Sequence, residues 1–255
     1  MVLPLSWPET DCDWALLHQK SLYALDARGR ISEKGLASTE PAPLFHLVRT
    51  RHGNVWCLHS RLSSTVCRDL ARLAGREAPL GRAVGSAFPP PERMESMLAV
   101  LRSVKAEPSF HRGVLYRFPL QDWPSRPPEP EGMELERILP QQVAALSELT
   151  PPFSSMTERA DPDRPMVVAR VEGEAVALCY GAKSASQQGM EGRVETLPGY
   201  RRRGLARACL VEWARTVAET GVIPLARARW ENRGARAFAQ SLGLEVYADG
   251  FWVDP

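Results

Sequence analysis

Long apolar runs, paired cysteines and an excess of one charge are all scarce in this 255-residue sequence. No stretch approaches the roughly 20 residues a helix needs to cross a bilayer. The first residues, Met-Val-Leu-Pro with acids by position 9, carry no basic leader. The expectation is a cytoplasmic protein with no membrane partner. The five cysteines (Cys12, Cys57, Cys67, Cys179, Cys209) are odd in number and widely spaced, with no Cys-x-x-Cys pair. That argues against a disulfide scaffold or a zinc knuckle and leaves reduced, mostly buried thiols. A formal charge of +2 gives no sign of a nucleic-acid coat. Histidine is missing after His111, so the later half alone can assemble neither histidine-based nucleophilic chemistry nor a zinc site.

What the sequence does have is a clear break. Residues 123–132, Trp-Pro-Ser-Arg-Pro-Pro-Glu-Pro-Glu-Gly, place four prolines where neither a helix nor a central strand can form. The expected organisation is an N-terminal unit at 1–121, a linker at 122–132 and a C-terminal unit at 133–255. In the first unit the patterning predicts strands at Ser21–Leu25, Phe45–Val48, Asn54–His59 and Val114–Phe118, with helices at Thr65–Ala74 and Met94–Val104. This smaller mixed α/β half holds no recognisable motif, and its element order is loosely compatible with a degenerate acyltransferase-like unit.

After the linker the predicted order is a strand at Glu134–Ile138, a helix at Gln141–Leu149, strands at Met166–Val171, Ala175–Ala182 and Gly192–Thr196, and a helix at Arg203–Glu219. A strand at Pro224–Trp230, a helix at Asn232–Leu242 and a terminal strand pair over Glu245–Val253 complete it.

The informative segment is Val194-Glu195-Thr196-Leu197-Pro198-Gly199-Tyr200-Arg201-Arg202-Arg203-Gly204-Leu205-Ala206, a strand that turns at a proline and opens into a helix. A helix start leaves backbone N–H groups unpartnered and carries the positive end of the dipole, so it seats a phosphate. Gly204 lacks the Cβ that would hold a phosphate away, and the adjacent arginines add attraction. Downstream, Asn232 precedes a helix whose Ala235, Phe238, Ala239 and Leu242 share an apolar face.

These residues resemble the GNAT superfamily of N-acetyltransferases. Arg201-x-x-Gly204-x-Ala206 fits its pyrophosphate signature, with Thr196, Pro198 and Tyr200 in the expected places, and Asn232 with its helix fits the second element. The resemblance covers Met133 to Pro255. It implies an α/β fold of the α+β kind, a mixed sheet that splays after the Gly192–Thr196 strand and is flanked by helices, with acetyl-coenzyme A as co-substrate and no metal. It further implies that Val194, Glu195 and Thr196 hold the pantetheine arm by their backbone. Amides of Arg202, Arg203, Gly204, Leu205, Ala206 and Arg207, beside Arg201, would hold the pyrophosphate, and Asn232 would approach the arm. The acceptor would be a small-molecule or peptide amine, with a homodimer as a candidate assembly.

Each candidate has a plainer reading. Arg201 to Arg203 also suit a solvated basic turn, and Asn232 also suits a plain helix cap. Residues 193–236 hold ten arginines against four glutamates, which suits a coenzyme A entrance better than a nucleic-acid surface, because no aromatic series accompanies them. Glu191 and Glu195 are candidate general bases. The tyrosine that many family members place seven residues after the asparagine is here Ala239, so Tyr180, Tyr200 and Tyr247 remain as candidate acids, with Tyr247 retained at the catalytic site. Two functional readings follow: direct acetyl transfer to a primary amine, or a catalytically weak or inactive acyl-coenzyme A binding module.

Overall fold

The computed structural model describes residues 7–34, 42–81, 88–119, 130, 132–139, 153, 161, 163–182 and 186–255. The helix expected at Gln141–Leu149, most of the proline-rich stretch and most of the Phe153–Arg164 loop lie outside the described residues.

Nine strands form one mixed sheet in the order β4-β3-β11-β5-β10-β9-β8-β7-β6. Those before residue 122 are β3 (Phe45–Thr50), β4 (Gly53–Leu58) and β5 (Phe110–Arg117). Those after it are β6 (Met133–Ile138), β7 (Met166–Val171), β8 (Glu174–Gly181), β9 (Gly189–Thr196), β10 (Ile223–Arg229) and β11 (Glu245–Val253). A separate hairpin pairs β1 (Tyr23–Leu25) with β2 (Ile31–Lys34). Strands from both sides of the proline-rich stretch therefore share one sheet, and β11 lies between β3 and β5.

Alternation along the strands sorts the helices onto two faces. Helices α2 (Ser64–Arg76) and α3 (Met94–Leu101) cover Phe45, Leu47 and Phe251. Helix α4 (Leu205–Glu219) covers Val167, Ala169, Ala177 and Cys179 on the same face, and α5 (Arg233–Ser241) adds Ala239 to that core. On the opposite face α1 (Asp11–Leu22) packs Trp14, Ala15 and Leu17 against Val48, Leu115 and Leu225.

The sequence reading missed α1. This helix buries Trp14, Leu17, His18, Gln19 and Ser21 together, so it lacks the clean apolar stripe that marks a surface helix. Its start was written in the chain: Thr10 and Asp13 form a reciprocal capping box, with Thr10 N donating to Asp13 Oδ2 at 3.0 Å and Asp13 N donating to Thr10 Oγ1 at 3.2 Å. The expected terminal strand pair is instead one strand, β11, interrupted by a bulge between Val246 and Ala248. Helix α4 begins at Leu205, two residues after the expected start, because Gly204 stands outside it with φ +83°. That left-handed conformation gives the glycine its local reason.

Candidate active site

Strands β9 and β10 pair in parallel only from Gly189/Ile223 to Glu191/Leu225. Beyond that point β9 keeps its partner on the β8 side, from Gly192 to Thr196, while β10 stays paired with β5 as far as Arg229. The sheet opens between them, and a cleft of about 310 Å³ occupies the opening. Gly192 lies where the splay begins. A Cβ there would stand 2.4 Å from Trp213 of α4, so only glycine lets the indole close against the strand.

The cleft passes from one face of the sheet to the other. On the α4/α5 face it is walled by Leu210, Ala235, Phe238, Ala239, Leu242 and Leu244, with Tyr116, Ala226 and Ala228 from the strands. On the α1 face it meets Tyr180, Glu191, Arg193, Glu195 and Arg227. Val194 and Asn232 also line it.

At the start of α4, Gly204 offers no side-chain cap and the first intrahelical bond runs from Ala208 N to Gly204 O. The amides of Leu205, Ala206 and Arg207 therefore have no helical acceptor, while the Leu205 side chain is buried in the core. Arg202, at φ +64°, and Gly204 together turn the chain sharply into the helix. The arginines are partly engaged: Arg201 Nε donates to Thr196 O at 3.2 Å, Arg203 lies over Tyr200, and Arg207 Nη1 donates to Ser241 O at 2.7 Å. Asn232 caps α5, its Oδ1 accepting from Ala235 N at 2.9 Å.

At the apex of the splay Glu191 is buried yet lines the cleft. Its Oε2 lies 3.1 Å from His18 Nε2 and 3.3 Å from Arg227 Nε, and its Oε1 lies 3.4 Å from Arg193 Nη2. Burial raises its pKa, but Arg227, His18 and Arg193 outweigh that and hold the carboxyl well below its ordinary range. Glu195 is exposed on the same face of β9, two alternation steps beyond Glu191.

Tyr247 is a correction to the expected site. It is buried against Trp14 and is not among the residues lining the cleft; its hydroxyl meets His18 Nδ1 at 2.7 Å. The tyrosines that do line the cleft are Tyr180, on the α1 face, and Tyr116, on the α4/α5 face. Burial raises the pKa of Tyr116, which keeps it protonated. Tyr116 precedes the linker, and no local pattern marked it. Tyr200 sits in a short 3-10 turn beside α4, and Ala239 presents only a methyl to the cleft. Sequence reasoning also missed His18, since the absence of late histidines does not exclude one brought in by α1.

Residues 167–248 match the family model for GNAT acetyltransferase. The match runs from β7 into β11 and takes in the splay, α4 and α5. The similarity to GNAT acetyltransferases thus falls in the C-terminal half of this chain. Solved structures of similar shape include a GCN5-related N-acetyltransferase from Sphaerobacter thermophilus, with 19% identity, TM-score 0.47, and coverage of 92% of this chain and 80% of that one. A GCN5-related N-acetyltransferase-like protein from Streptococcus suis gives 16% identity, TM-score 0.43, and coverage of 97% and 94%. A GCN5-related N-acetyltransferase from Kribbella flavida gives 20% identity, TM-score 0.45, and coverage of 64% of each chain. Against some of the matched structures the chain spans only 57% to 64% of their length. No curated protein matches the chain. Among the described residues no helix is long and apolar enough to cross a membrane, and no group of side chains has the makings of a metal site.

Proposed function

We propose that the chain transfers an acetyl group from acetyl-coenzyme A to a primary amine by direct attack. The observation that carries this reading is the cleft through the sheet, walled on one face by Leu210 of α4, a helix whose start is uncapped, and lined on the other by a buried carboxylate. These residues fit the co-substrate. The amides of Leu205, Ala206 and Arg207 suit a pyrophosphate, and the side of β9 that faces away from β8 over Gly192 to Thr196 suits a pantetheine arm laid like a strand.

Acetyl-coenzyme A, when bound, supplies an activated thioester carbonyl. Binding on opposite faces of one opening brings amine and acyl group together, which converts a bimolecular encounter into a local one. The amine nitrogen becomes far more acidic as it bonds to carbon, so a weakly basic carboxylate such as Glu191 suffices to receive its proton. Glu195, exposed at the mouth, is the alternative acceptor. Tyr116 is the phenol on the arm's face of the cleft and stands as proton donor to the leaving sulfur where Ala239 cannot. Arg201 and Arg207 support the cradle by holding the end of β9 and the end of α5.

Ala239 favours a second reading, an acyl-coenzyme A binding module with little turnover. Calorimetry with acetyl-coenzyme A beside thiol release across a panel of amines separates the two. Binding with thiol release supports transfer, binding without release supports the module, and no binding removes both.

A further inference from the structure

We propose that His18 is a positioning residue for Glu191, held in a single tautomer by Tyr247, so that Tyr247, His18 and Glu191 act as one hydrogen-bonded chain that aims the carboxylate into the cleft. The inference rests on the reading of Glu191 as the amine's proton acceptor.

The geometry leaves one consistent arrangement of protons. Glu191 faces two guanidinium groups and is an acceptor only, so the His18 nitrogen 3.1 Å from it, Nε2, carries the hydrogen. In a neutral imidazole Nδ1 is then the acceptor, and the Tyr247 hydroxyl at 2.7 Å donates to it. His18 is fully buried, and burial lowers its pKa despite the carboxylate beside it, in keeping with a neutral ring. The charged and titratable groups around the ring are Glu191 on β9, Arg227 on β10, Tyr247 on β11 and His46 on β3.

The backbone is shaped for this contact. Val246 pairs with Tyr116 and Ala248 with Leu115, so Tyr247 is the extra residue of the β11 bulge. Without the bulge, Tyr247 and Ala248 would point to opposite faces. With it, both join Trp14 and Leu17 on the α1 face. Oε2 of Glu191 is occupied by His18 and Arg227, and Oε1, which faces the exposed Arg193 at 3.4 Å, is the oxygen offered to the amine. In the transfer the amine nitrogen bonds to the acyl carbon and the C–S bond breaks, expelling coenzyme A as thiolate; the amine N–H bond breaks, its proton forms an O–H bond at Oε1 and then leaves to water, while His18 keeps its own proton throughout.

The test uses the full chain labelled with ¹⁵N-histidine, with His18 assigned by the signal lost in His18→Gln. The expected result is a neutral Nε2–H ring at pH 7, and in Tyr247→Phe a mixture of tautomers or proton uptake at a higher pH. A neutral Nδ1–H ring, or an imidazolium at pH 7, overturns the inference. A second arm measures thiol release from acetyl-coenzyme A with n-butylamine as the probe amine. His18→Asn, too short to reach Oε2, lowers kcat about tenfold with KM for acetyl-coenzyme A unchanged, whereas His18→Gln, whose amide reaches Oε2, recovers most of that loss. If Glu191→Gln has no effect while the tautomer is as expected, the proton-acceptor reading fails and the hydrogen-bonded chain stands. If Glu191→Gln lowers kcat and neither His18 variant does, the inference about His18 fails alone.

Discussion

The two parts of the proposed site are built on different plans. The α4 end comes from one run of chain, Pro198 to Arg207, and works mainly through backbone amides that a turn and a helix start expose. The Glu191 end is gathered from α1, β9, β10 and β11, with partners 173 and 229 residues apart, and works through side chains. A backbone site survives most side-chain changes that preserve the turn, while a gathered site depends on each contributor. The first plan suits a ligand group common to many proteins, and the second suits the chemistry of one.

Four measurements would break or sharpen this contrast. The largest effect is expected at the backbone end from Ala206→Glu. The helix start tolerates a carboxylate there, so stability should hold, while repulsion of the pyrophosphate should weaken acetyl-coenzyme A binding by about 3 kcal/mol or more. Gly204→Glu is a poorer probe, because φ +83° would strain any side chain. Calorimetry that finds unchanged affinity in folded Ala206→Glu would remove the phosphate site from α4.

At the gathered end, Glu191→Gln should lower kcat about a hundredfold, roughly 2.7 kcal/mol, with acetyl-coenzyme A affinity nearly unaltered. Steady-state kinetics on an amine that turns over decides this, and parent-like turnover would shift the role to Glu195 or water.

Stability should also follow pH through the buried histidines. Burial lowers the pKa of both His18 and His46, and neither ring nitrogen of His46 has a hydrogen-bond partner among the described residues. Above the unfolded value of 6.5 both states are neutral and this contribution is intact. As pH falls below 6.5 the unfolded chain takes up protons that the folded chain refuses, and stability drops by up to about 1.4 kcal/mol per pH unit for each ring until the folded values are reached. Urea melts between pH 8 and pH 5 check this; flat stability would mean that the rings are not held neutral.

The smallest effect is expected from Asn232→Asp, which keeps the cap to Ala235 but replaces the side-chain amide with a charge. Stability should hold or rise slightly, and acetyl-coenzyme A affinity should fall by about 1 kcal/mol if that amide meets the arm. Unchanged affinity by calorimetry would leave Asn232 as a cap alone.

The same contrast explains what could be read in advance. The run from β9 into α4 was legible because a strand, a Pro198 turn, Gly204 and a helix start follow one another within a few residues, and α5 with its Asn232 cap was legible for the same reason. Most strands were also legible from their alternation. What escaped depends on tertiary placement. The position of β5 beside β10 brings Tyr116 to the cleft, and α1 brings His18 to Glu191 from the other side of the proline-rich stretch. Tyr247 was visible as a tyrosine, but one bulge residue decides which face it serves.

The place of β11 has a consequence for synthesis. Among the described residues β3 and β5 are joined through β11, whose last paired residue is Val253. As the chain leaves the ribosome, the β3–β4 hairpin and α1 must wait, each with an unsatisfied edge or face, for a strand made some 200 residues after β3. Such distant pairing slows folding and lengthens the exposure of open strand edges. The cleft inherits that delay: beside it, His18 can meet Tyr247 only after the final strand has slotted home.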